Sequence, residues 1–301
     1  MENNRNMTSV KKHKILDRPI LSVIVLPLFA TLVLTILSIP GYMIWGSGNK
    51  SAAPLIYQIV EAFMMLVITE AVYTGIWFKG EFEGTLKGKI GEGFRFLIPV
   101  IVVEIILFIY DRITGTGNLN SVLNVIALSV TAGIVEEVLF RSLILSNLMR
   151  ITRTYRQMIG AVFASSLLFS VSHLTNLLNG ADPGATVSQL ISAACFGVFL
   201  AGIYLSCGSI IPCMAFHFGH DVLALLFLGI NESGATVEKV TMVSNIENMI
   251  VNVLLLALGF MLLRSRNFEE IRRLWDEKWH IETDRSIDAG EISASESVRR
   301  Q

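Results

Sequence analysis

Three short runs of ionisable residues stand inside stretches that are otherwise apolar. They are Glu136-Glu137-Val138-Leu139-Phe140-Arg141, then Phe169 with His173, then His217-Phe218-Gly219-His220-Asp221. On a helix Glu137 and Arg141 are four apart and share a face, so they can form an ion pair. Glu136 is rotated about 100° from Glu137 and has no partner in its own helix. Its face also carries Ser129, Ala132 and Gly133, small residues that leave room for water or a chain. Glu136 is therefore the candidate reactive carboxylate. Phe169 can pack beside His173, four residues on. His217 and Asp221 share a face, where the carboxylate could orient the imidazole and fix its tautomer. Alternatively both side chains could hydrogen-bond a substrate carbonyl. For His220, three residues from His217, a functional and a structural reading stay open.

These groups point to water activation. Attack on an amide at neutral pH needs a base for the water and donors for the developing oxyanion. A carboxylate beside an imidazole supplies the base, and a second imidazole with a polar neighbour supplies the donors. The set Glu136, His173 and His217 could instead hold one zinc ion with water in the fourth position. The sequence has no HExxH helix, the commonest zinc-protease signature.

The elements that must position these residues are membrane spans. Of 301 residues, 52% are hydrophobic and only 16% are charged, against roughly a quarter charged in average proteins. With a mean hydropathy of +0.60, this excludes a soluble globular enzyme, a disordered chain and a coiled coil. The formal net charge of -1 gives no reason to expect nucleic acid as a partner. A crossing helix needs about 20 mostly apolar residues. Eight segments qualify: Ile20–Trp45, Pro54–Phe78, Phe94–Tyr110, Ser121–Met149, Gln157–Leu178, Val187–Ser206, Ser209–Ile230 and Ile246–Leu263. The predicted fold is thus an all-α polytopic bundle of about eight transmembrane helices. Ile20–Trp45 is too long for a signal-peptide core and reads as a retained span.

The basic residues support this layout. Twenty of the 24 Lys and Arg fall on the two tails and the even-numbered connections, and three (Lys50, Arg112, Lys239) on the odd ones. The remaining one, Arg141, lies inside a span. The positive-inside rule then puts both termini in the cytoplasm, with the plasma membrane as the expected site. The chain divides into a tail over 1–19, three spans over 20–120, a four-span core over 121–230, a connection and last span over 231–264, and a charged tail over 265–301. That last tail is expected to begin as a helix running on from the final span, and Ser286–Gln301 to be disordered. Repeated glycine between Gly80 and Gly93 argues against a long helix there. Cys195, Cys207 and Cys213 form no CxxC pair and read as small core residues.

Ionisable side chains inside a bilayer are costly and mark function. Here they are Glu61, Glu70, Glu104, Glu136, Glu137, Arg141, His173, His217, His220 and Asp221. Seven of these ten fall in the fourth, fifth and seventh segments, which predicts one polar site shared by those helices. No role follows from sequence for Glu61, Glu70 or Glu104.

The ordered set EExxxR, FxxxH and HxxxD resembles the CAAX protease and bacteriocin-processing family (CPBP or Abi), which includes the type II CAAX prenyl endopeptidases. The similarity covers about Ser121 to Ile230. It implies an intramembrane metalloendopeptidase in which Glu136 activates water and His173 helps position that water or a metal. His217 and Asp221 would then stabilise the oxyanion, while Glu137, Arg141 and Phe169 support them. Zinc at Glu136, His173 and His217 is the cofactor the family designation implies. The implied partners are the lipid bilayer and a peptide or membrane-anchored protein substrate, with CAAX-like processing or peptide maturation as the task. Two other classes fit the composition: a non-proteolytic membrane immunity or interaction protein, and a proton-coupled transporter using Glu61, Glu70 and Glu104. Against transport, the spans show no matched Gly/Pro-broken half-repeats.

Overall fold

The computed structural model describes residues 18–45, 52–114, 120–226 and 242–281. The expectations for the first 17 residues and for Ser286–Gln301 lie outside them. Among the described residues the secondary structure is entirely helical. The elements are α1 (Pro19–Trp45), α2 (Ala52–Val72), α3 (Ile90–Thr114), α4 (Val122–Glu137), α5 (Tyr155–Ser172), α6 (Pro183–Cys207), α7 (Ile211–Leu225), α8 (Met242–Leu262) and α9 (Phe268–Lys278). Two helices change pitch. α2 continues as a π-helical turn over Tyr73–Trp77, and α4 continues through a π-helical stretch over Val138–Leu145 into Ser146–Met149.

Among the described residues six helices are long and apolar enough to cross a membrane, and α8 with the segment after it makes a seventh only as a pair bent by 44°. The sequence count of eight is therefore not reached by length alone. α7 has 15 residues, or about 22 Å of rise, against a hydrocarbon thickness of roughly 30 Å. The rest of the expected seventh span, past residue 226, lies outside the described residues. A broad apolar belt faces outward: Leu28, Val67, Ile106 and Leu167 are all more than half exposed. Such a surface is stable in lipid and aggregation-prone in water.

α6 is the central helix, and its ends are set by standard chemistry. Asp182 Oδ1 accepts from Ala185 N at 2.9 Å, Pro183 occupies the first turn, and Gly208 closes the helix at φ +73°. α6 packs against α5 and α8, while α4 packs against α7 and α2. Small residues allow the close approaches. A Cβ on Gly259 would stand 3.1 Å from Phe199 Cα, and one on Gly93 only 2.5 Å from Pro212 Cγ.

Two sequence expectations change here. Gly91 and Gly93 lie inside α3, which begins at Ile90 rather than Phe94. At Gly93 the close approach of Pro212 on α7 offsets the low helix propensity. The glycine-rich segment before it is a loop, with Gly80 and Gly84 at positive φ. Further on, α9 does not simply run on from α8. A 3-10 turn over Ser265–Asn267 separates them. α9 then folds back on the bundle, with Trp275 Nε1 donating to Leu205 O at 3.1 Å and Trp279 Nε1 to Ser146 O at 3.0 Å.

Candidate active site

α4 and α7 meet where Gly133 removes a side chain. A Cβ there would lie 3.1 Å from Phe218 N and 3.2 Å from Met214 O. The space expected beside Gly133 for water or substrate is therefore filled by the α7 backbone. This contact brings the α4 carboxylates to the α7 imidazole.

His217 is buried, and its Nδ1 stands 2.9 Å from Glu137 Oε1. Its Nε2 faces two more carboxylates, Glu136 Oε2 at 3.5 Å and Asp221 Oδ2 at 3.7 Å. The carboxylate that orients the His217 ring through Nδ1 therefore comes from α4. Of the two roles open to Asp221, four residues along the same helix, this leaves the one beside a substrate carbonyl. Asp221 borders the open side of the ring. The i,i+4 pair is present, with Arg141 Nε at 3.2 Å from Glu137 Oε2 and both side chains buried. Glu137 thus links Arg141 to His217. The Arg141 guanidinium also lies over the Phe169 ring, 4.7 Å from its centroid.

The pitch change starts one residue after this pair of glutamates. π-helical turns recur at functional sites, and here the wider turn lets Phe140 O accept from Ser165 Oγ at 2.8 Å. That bond ties α4 to α5. The side chain of Glu136 is 27% exposed and that of Asp221 21%, whereas Glu137 is at 0%. The two part-exposed carboxylates and His217 Nε2 therefore form the accessible side of the cluster, backed by the buried Glu137–Arg141 pair.

His173 is the C-cap of α5, and its Nδ1 is 3.0 Å from Phe169 O. It makes no ion pair with Glu136 or His217. It joins the site through Phe169, whose ring centroid is 5.0 Å from the His173 ring and 5.9 Å from that of His217. Zinc needs ligand atoms at about 2.0–2.2 Å. Among the described residues no three or more His, Cys, Asp and Glu side chains have the spacing to hold a metal ion. As placed, Glu136, His173 and His217 do not form a zinc cage.

Two of the three remaining intramembrane acids have partners of their own. Glu70 accepts from Thr85 N at 2.7 Å and Thr85 Oγ1 at 2.8 Å, anchoring the glycine loop. Glu104 Oε1 is 2.8 Å from His220 Nδ1. Glu61 is buried, and its Oε1 has no hydrogen-bond partner. Phe196 on α6 is a site residue that sequence reasoning missed. Its ring lies 5.0 Å from His217 and 4.8 Å from His220. An aromatic in an apolar helix carries no distinguishing sequence signal. The Glu104–His220 pair was detectable only as two unassigned ionisable residues inside spans.

The fold and site define an all-helical polytopic membrane protein with a carboxylate–imidazole cluster in its interior. Residues 118–223 match the family model described as Type II CAAX prenyl endopeptidase Rce1-like. This region, about a third of the chain, holds Glu136, His173, His217 and Asp221 and is similar to that family. No curated protein and no solved structure matches the chain.

Proposed function

We propose that the protein is an intramembrane endopeptidase. It hydrolyses a peptide bond of a membrane-associated protein or peptide, with water activated by Glu136. The observation that carries this reading is the placement of His217, pinned on one nitrogen by buried Glu137 and open on the other toward Glu136 and Asp221. A carboxylate with its own aqueous exposure can take a proton from water. The imidazolium form of His217 presents Nε2–H on the same accessible side, where the carbonyl oxygen of a bound substrate gains negative charge. A general base contributes about 10²–10⁴-fold and an oxyanion donor about 10²–10³-fold. Asp221 adds a second donor when protonated. His173 donates Nδ1–H to its own helix, which leaves Nε2 as the acceptor that helps position the water.

The substrate reaches this cluster within the bilayer, so a lipid-anchored C-terminus of the CAAX type or a membrane-bound peptide precursor is the expected class. The distribution of basic residues supports cytoplasmic termini. Zinc held by Glu136, His173 and His217 is the competing way to activate the water, and it would need those side chains rearranged.

Purified protein in detergent is tested on a quenched-peptide library that includes prenylated CAAX-type sequences. Wild type, Glu136→Gln and His217→Ala are compared, each with and without chelator. Cleavage lost in both variants and unchanged by chelator is the expected result. Chelator-sensitive cleavage would replace carboxylate-activated water by a metal mechanism. Stable binding of a peptide without its cleavage would favour an immunity or interaction protein.

A further inference from the structure

Amide hydrolysis also needs a proton donor for the leaving group. The departing nitrogen must receive a proton, or the tetrahedral intermediate reverts by expelling water. His217 Nδ1 is held by Glu137 at 2.9 Å, and its Nε2–H is already assigned to the carbonyl oxygen. His220 is differently placed. Its Nδ1 is held by Glu104 Oε1 at 2.8 Å, and its side chain is one-third exposed while that of Glu104 is only 8% exposed. Nε2 has no hydrogen-bond partner among the described residues. His220 lies three residues from His217 on α7, where Cβ atoms are about 5–6 Å apart. Both imidazoles border the Phe196 ring, at 4.8 and 5.0 Å.

Glu104 is an expensive residue to keep. It comes from α3, whose Val102, Ile105 and Ile106 are exposed apolar side chains. It also lies outside the matched residues 118–223. A buried carboxylate that orients an imidazole with one free nitrogen is the arrangement of a general acid–base pair.

We propose that Glu104 and His220 form a second acid–base pair of this site, with His220 Nε2–H protonating the leaving amine. This rests on the peptidase reading above. Water adds to the carbonyl carbon as Glu136 takes one of its protons. The C–N bond then breaks, its electron pair goes to nitrogen, and the proton of His220 Nε2 completes the amine. His220 is left neutral and Glu136 protonated, and exchange with solvent resets both. Glu104 is a positioning residue that holds Nδ1 and so turns Nε2 outward.

The test compares a cleaved peptide with the p-nitrophenyl ester of its acyl half, whose leaving group needs no proton. His220→Gln should slow peptide cleavage by about 10²–10⁴-fold while changing ester cleavage by less than about threefold. Glu104→Gln should give the same pattern with a smaller loss. Added imidazole should restore peptide cleavage to His220→Ala and leave its ester cleavage unchanged. Equal loss on both substrates, or no loss on the peptide, overturns the role of His220. Undiminished peptide cleavage by Glu136→Gln, or no cleavage by wild type, overturns the peptidase reading itself.

Discussion

Glu136 and Glu137 are adjacent in sequence and opposite in circumstance. Glu137 is sealed between Arg141 and His217, while Glu136 keeps a quarter of its side chain open. Removing Glu137 would leave a buried guanidinium and a buried imidazole without their shared carboxylate. Glu137→Ala should therefore destabilise the protein by about 3–5 kcal/mol. Glu136→Gln, which breaks no sealed pair, should change stability by less than about 1 kcal/mol. Unfolding of both variants in the same detergent measures the difference, and equal losses would reverse the two roles. The Glu137–Arg141 pair was legible in the sequence because helix spacing alone puts the two on one face. That Glu137 also holds His217 was not legible, because the two are 80 residues apart and only the α4–α7 contact joins them.

The site works only if α4 and α7 keep their distance, and Gly133 sets it. A methyl group at that position would press on backbone atoms at 3.1 and 3.2 Å, which cannot swing aside as a flexible side chain would. Gly133→Ala should separate the α4 carboxylates from His217 by a few tenths of an ångström and lower kcat/KM on the order of tenfold. Gly133→Val should lower it by 10² or more, since a misplacement of about 1 Å costs roughly 10²-fold. Steady-state rates on one cleaved peptide test this, and wild-type rates in both variants would show that the interface does not govern the chemistry. Most spans were legible because long apolar runs have few other outcomes in a chain this poor in charge. The π-helical stretch over Val138–Leu145 was not, since pitch depends on neighbours such as Ser165 rather than on local propensity. The start of α3 was misplaced for a related reason: Gly91 and Gly93 disfavour a helix locally, and only the facing Pro212 makes the smaller of two costs visible.

The whole molecule is closed on one side by α9, a helix with seven charges in eleven residues that lies outside the apolar spans. Its Trp275 and Trp279 insert between other elements, and Lys278 goes in with them, 3% exposed, donating from Nζ to Lys87 O at 2.7 Å. Burial pushes the Lys278 amine down to about 8 from 10.5. Between those two values the unfolded chain holds a proton that the folded chain has released. Stability should therefore rise with pH across the window from about 8 to 10.5, by at most on the order of 3 kcal/mol. Lys278→Met keeps the packed stem and should lose that rise. Unfolding of wild type and variant at pH 7.5 and pH 10 isolates the effect, and identical pH responses would contradict the burial of a charged amine there. Beside α9 the glycine loop, the end of α6 and the start of α7 are joined by Lys89 N–Cys207 O, Ser209 Oγ–Leu86 O and Ile210 N–Thr85 O bonds. The central claim is that the interior cluster is hydrolytic and that Glu136 drives it. Single-turnover cleavage of one prenylated CAAX-type peptide by wild type and by Glu136→Gln, at matched stability, tests it most directly. The expected result is cleavage by wild type and a loss of at least about 10²-fold in the variant; equal rates in the two would contradict it.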